Sequence, residues 1–172
     1  MEKERQRKPA KSNLEDRHMA VVENSNNKMT GKQSIEFGKP IWIQCSASIV
    51  GKKEGQGPLG NLFDKVSTDD TFGAGSWEEA ESALQKETVQ LCLQKSGMKI
   101  EDIRYMFAGD LLGQSIASTF GLMTFELPYI GLYGACSTCG LSISLGSMAV
   151  AGGYAENVIC VTSSHFASAE KE

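Results

Sequence analysis

Histidine is nearly absent from this sequence, which has only His18 and His165 among 172 residues. Cys136-x-x-Cys139 has no second cysteine pair to complete it, so a zinc ligand set is excluded. Asp69-Asp70 lacks the alternating acidic spacing and the glycine of a calcium loop, and reads as a solvated loop; no metal site is expected. No run of about 18 apolar residues occurs, so no membrane-spanning helix is expected. The N-terminus has no apolar core of a secretory leader. Five cysteines without an export signal then point to reduced thiols in a cytoplasmic compartment rather than a disulfide framework.

Clustered positive charge is also missing from most of the chain. Net charge is −4 overall, but residues 1–33 carry +3 and residues 34–172 carry −7. An acidic body excludes nucleic acid as a partner, because phosphate binding needs a basic surface. The basic run Lys3-Glu4-Arg5-Gln6-Arg7-Lys8 is short and interrupted, and reads as a solvated tail. Residues 1–28 are polar and without apolar periodicity, so a disordered basic extension is expected there.

What is present fits an α/β domain. PIWIQCSASI, residues 40–49, is β-branched and aromatic and predicts a first strand. A loop rich in Gly, Lys and Asp follows to about Gly75. Ser76, with Glu79 three residues later, reads as a capping box opening a helix that Gly97 ends. Ala80, Ala83, Leu84, Val89, Leu91 and Leu93 are expected to face its core. Ile103–Ala108 predicts a second strand, Ser115–Met123 a short helix, and Tyr129–Tyr133 a third strand. A helix over Ser137–Ala151, stopped by Gly152-Gly153, precedes a fourth strand over Val158–Thr162. Alternating strands and helices predict a mainly parallel sheet.

Loops beyond the carboxyl ends of parallel strands are where ligand sites form. Asp110 follows the second strand, Cys136 the third and His165 the fourth. Cys136 also stands where a strand turns into a helix, where free amides and the helix dipole favour a thiolate or a developing oxyanion. Three roles fit it: an acyl-carrying nucleophile, half of a dithiol with Cys139, or a small residue packed in a turn. GQGPLG, Gly55–Gly60, has the spelling of a dinucleotide fingerprint. Gly51-Lys52-Lys53-Glu54 intervenes between it and the first strand and Pro58 removes an amide, so it reads as a turn.

The order of elements resembles the N-terminal half of the thiolase superfamily, and GACSTCG resembles the nucleophile loop of its condensing enzymes. MTGKQ, GPLGNLFDK, FAGDLL, LYGACST and TSSHFASAE, spread over Met29–Glu170, resemble one branch, the stage V sporulation protein AD family. The resemblance implies a thiolase-like fold of which residues 29–172 are the N-terminal half, truncated. It further implies a buried helix after the Cys loop and a strand order 3-2-1-4-5. That order would hold the third and fourth strands three steps, roughly 14 Å, apart, and so argues against a Cys136–His165 dyad.

The implied function is binding of dipicolinic acid, alone or as its calcium complex, for uptake into the forespore. Cys136, Ser137, Thr138, Asp110 and His165 are the candidates near that site, without turnover and without a cofactor. The implied partners are membrane proteins of the same sporulation system and, through the orphaned helix, further copies of the chain. The implied location is cytoplasmic or peripheral on the forespore or spore inner membrane. An acyltransferase using Cys136 is the rival reading.

Overall fold

The computed structural model describes residues 28–111 and 113–164. The expected basic extension therefore lies, apart from Lys28, outside the described residues, as does His165. The chain divides into two units, Met1–Pro40 and Ile41–Glu172. In the first, β1 (Met29–Thr30) and β2 (Ser34–Ile35) form a small antiparallel hairpin.

The second unit holds two parallel sheets. β3 (Ile49–Val50) pairs with β4 (Lys65–Val66), on either side of the short helix α1 (Lys52–Gly55). Between them Gly60 turns so closely on Gly55 that a Cβ would lie 1.9 Å from the Gly55 carbonyl oxygen. GQGPLG is thus a turn packed on itself.

α2 (Trp77–Ser96) begins and ends where the sequence places it. Ser76 Oγ accepts from Glu79 N at 3.2 Å, and Gly97 closes the helix at φ 70°. The return arm of the expected box is shifted by one residue: Glu79 Oε2 accepts from Gly75 N, not Ser76 N. Ala80 and Val89 are buried as expected, but Ala83, Leu84, Leu91 and Leu93 are only half-buried. Glu81 and Gln85 take core positions instead.

The central sheet has the order β6-β5-β7, all parallel. β5 (Tyr105–Asp110) is buried almost throughout. It is flanked by β6 (Tyr129–Gly131) and β7 (Val158–Ser163). α3 (Ile116–Leu122) links β5 to β6, and α4 (Thr138–Ala151) links β6 to β7. The apolar core gathers Val89, Ile103, Met106, Ala108, Leu122, Ile159 and Val161. α2 and α3 meet at Gly121, where a Cβ would lie 2.5 Å from the Ser82 carbonyl oxygen.

Two expectations about the strands are corrected. Residues 40–48 form no strand, and Trp42 and Ile43 are 78% and 76% exposed. Both edges of β5 are already hydrogen-bonded, so the segment has no place beside it, and high β-propensity alone does not make a strand. The order 3-2-1-4-5 fails for the same reason. β5 alone separates β6 from β7, so the strands leading to Cys136 and His165 are two steps, roughly 10 Å, apart rather than three.

Candidate functional site

β5 and β7 end at Asp110 and Ser163, and β6 runs on toward Cys136, so three parallel strands deliver their loops to one edge. Leu132 still donates to Ala108 O at 2.8 Å, extending the pairing one residue past β6. The chain then turns through Gly134 and a single 3₁₀ turn, Ala135–Ser137, into α4. Ser137 N and Oγ both donate to Gly134 O, at 2.9 and 2.6 Å, and Gly134 N donates to Thr138 Oγ1 at 3.1 Å. These bonds close the elbow.

Ala135 sits at φ 46°, a left-handed conformation that costs a Cβ-bearing residue roughly 1–2 kcal/mol. Ala135→Gly is therefore expected to stabilise the chain by about 1 kcal/mol, read as a higher denaturation midpoint. A lower midpoint would show that the Ala135 methyl has packing of its own.

The candidate residues divide by exposure. Cys136 and Ser137 are exposed, and the Cys136 thiol has no hydrogen-bond partner among the described residues. Thr138 is buried and its hydroxyl is used by the elbow. Asp110 is 0% exposed and makes no opening to solvent. Its Oδ1 accepts from Ser115 N at 3.2 Å, and its Oδ2 accepts from Ser118 N at 3.0 Å and Ser118 Oγ at 2.8 Å. It fastens the start of α3 to the end of β5. No side chain caps α4; the helix continues from the 3₁₀ turn, so Ser137 N and Thr138 N already donate to Gly134 O and Ala135 O.

Beneath the edge lies a buried polar chain that the sequence does not announce. Gln85 Nε2 donates to Ser118 Oγ at 2.8 Å and to Ser163 Oγ at 2.6 Å, and Ser163 Oγ donates to Glu81 Oε1 at 2.7 Å. With Ser118 donating on to Asp110, this ties α2, α3, β5 and β7 together. Gln85 Oε1 is left buried without a partner. The available signal was spacing alone: positions 81, 85 and 89 fall on one face of α2.

All five cysteines are free thiols. Cys139 is exposed beside Cys136. Cys160 behaves differently: although the residue is exposed as a whole, its thiol donates to Ser142 O at 3.2 Å and faces Gly146. Burial, and then the nearby Cys139, push the Cys160 thiol up to about 11. Raising a thiol by about two pH units cuts its thiolate a hundredfold, and greater nucleophilicity recovers roughly tenfold of that. Iodoacetamide at pH 8 should therefore label Cys160 about tenfold more slowly than an unperturbed exposed thiol, followed by peptide mass spectrometry. Equal labelling of Cys136, Cys139 and Cys160 would contradict the packing of α4 on β7.

The class these observations define is a parallel α/β protein with a cysteine elbow at the carboxyl edge of its sheet. The family model for stage V sporulation protein AD matches residues 31–172. Stage V sporulation protein AD of Bacillus subtilis (strain 168) is 38% identical over 145 residues, 84% of this chain and 43% of that protein. The chain belongs to the stage V sporulation protein AD family. It spans less than half the length of that curated relative.

Proposed function

We propose that the chain acts in sporulation by contributing one wall of a binding site for dipicolinic acid, without turnover. The observation that carries this reading is the elbow. Cys136 and Ser137 are exposed at the head of α4, where no side chain caps the helix. The positive end of the α4 dipole beside these exposed side chains suits a carboxylate, and a planar dicarboxylate has two. Residues 34–172 carry −7, which opposes a dianion, so the remaining length of the longer proteins supplies the positive charge in this reading. In this reading the chain is the first half of a two-half, thiolase-like architecture. The ligand would arrive alone or as its calcium complex, with membrane proteins of the same system as partners. Peripheral attachment to the forespore or spore inner membrane belongs to the same reading; no helix among the described residues is long and apolar enough to cross a membrane.

Titration calorimetry tests the reading. Dipicolinate should bind the longer Bacillus subtilis relative and give no binding heat with this chain alone. Equal affinity for both would place the whole site in residues 29–172, and binding to neither would remove the ligand assignment.

α4 bears on self-association. It has no charged residue, it packs on β5 and β7 through Ser142 and Gly146, and it leaves Leu141, Ile143 and Met148 exposed. Surface helices ordinarily keep a charged outer face. The isolated chain is expected to associate or to bind the dye ANS. Sedimentation of a dye-negative monomer at high micromolar concentration would count against both this and the two-half architecture.

A further inference from the structure

Cys45 and Cys92 are distant in sequence and adjacent in the fold. The segment holding Cys45 is pinned along α2. Lys95 Nζ donates to Ser46 O at 2.7 Å and pairs with Asp64, and Asp64 Oδ2 in turn accepts from Ser48 N at 2.8 Å and Ser48 Oγ at 3.2 Å. Cys92 stands one turn before Lys95, on the same face of the helix. That anchoring sets Cys45 and Cys92, both partly buried, beside Lys95 and close enough to act on each other electrostatically, while the Cys45 thiol donates to Ser46 O at 3.7 Å. A metal is a poor occupant, because the ammonium repels a cation and no group of three ligands occurs among the described residues.

We propose that Cys45 and Cys92 form a reversible disulfide under a peroxide oxidant, a redox-sensitive clasp that fixes the exposed segment 41–48 to α2. The Cys45 thiolate attacks one peroxide oxygen, the O–O bond breaks, and the departing hydroxide takes up the Cys45 proton as water. The resulting sulfenic acid is attacked by the Cys92 sulfur; the S–S bond forms, the S–O bond breaks, and the hydroxyl leaves with the Cys92 proton as a second water. Two thiols lose two electrons and hydrogen peroxide is reduced to two waters. Burial first, and the neighbouring Cys45 second, push the Cys92 thiol up, which suits it to the resolving step. Lys95 works the other way on Cys92, favouring its thiolate for attack on the sulfenic acid.

The test treats the full chain with hydrogen peroxide near neutral pH, blocks free thiols with N-ethylmaleimide, and maps peptides without reduction. The expected main product is an intramolecular Cys45–Cys92 cross-link, removed by dithiothreitol and absent from Cys45→Ser and Cys92→Ser. Lys95→Gln should slow its formation by roughly 3- to 10-fold, whereas Lys95→Arg, which keeps the charge, should hold the parent rate. Circular dichroism establishes first that each variant folds; if Lys95→Gln does not, the serine variants and the peptide map still decide. A map dominated by Cys136–Cys139 or by intermolecular links would overturn the clasp, and so would over-oxidation of Cys45 with Cys92 left free.

Discussion

Replacing Asp110 by alanine should lower the thermal midpoint by roughly 10 °C. Asp110 is fully buried, and its two oxygens receive Ser115 N, Ser118 N and Ser118 Oγ. Alanine strands the buried Ser118 donors and leaves the part-buried Ser115 amide without its partner, at about 1–3 kcal/mol for each buried group left unsatisfied. The Ser118 hydroxyl is also the acceptor for Gln85, so the loss spreads to α2 and, through Ser163, to Glu81. Asp110→Asn keeps one acceptor oxygen and should fall about midway. A midpoint for Asp110→Ala within about 1 °C of the parent would show that the chain of bonds carries little stability.

The second large effect is expected from Gly109→Ala. A Cβ at Gly109 would lie 2.1 Å from the Leu132 carbonyl oxygen and 2.8 Å from Thr138 Cγ2. The first of these is backbone, which cannot swing aside as a flexible side chain can. Overpacking of this kind costs about 1–3 kcal/mol or more. Here it also pushes the β6 extension and the head of α4 away from β5. Gly109→Ala should thus lower the midpoint and change the rate at which Cys136 is alkylated, whereas a substitution acting on stability alone leaves the folded-state rate intact. An unchanged Cys136 rate would separate the elbow from β5.

These two neighbouring residues also show how far the sequence can be read. α2 was legible because its start and stop are local: Ser76 reaches Glu79, and Gly97 takes a backbone conformation few other residues adopt. β5 and α4 were legible for the same reason, with strand-forming residues in one and a glycine pair ending the other. Asp110 could be placed at the end of a strand, but its role could not be read, because that depends on Ser115 and Ser118 folding back over it. Nothing local marks Glu81 and Gln85 as core positions. Their burial is set by Ser163, 82 and 78 positions away, which no local pattern reports. Residues 40–48 misled for the reverse reason. Their composition favours a strand, but the edges of β5 that would receive one are occupied by β6 and β7. At the candidate site, Cys136 and Ser137 are exposed where the sequence put them, while Thr138 and Asp110 serve the framework.

The central claim is that the Cys136 elbow holds a ligand and performs no acyl transfer. It is tested most directly by incubating the chain with acetyl-CoA and longer acyl-CoAs, quenching in acid, and measuring the intact mass and the Cys136 peptide. The expected result is an unmodified Cys136 thiol at every acyl length. A stable thioester on Cys136, abolished by Cys136→Ser, would contradict the claim and establish the acyltransferase reading in its place.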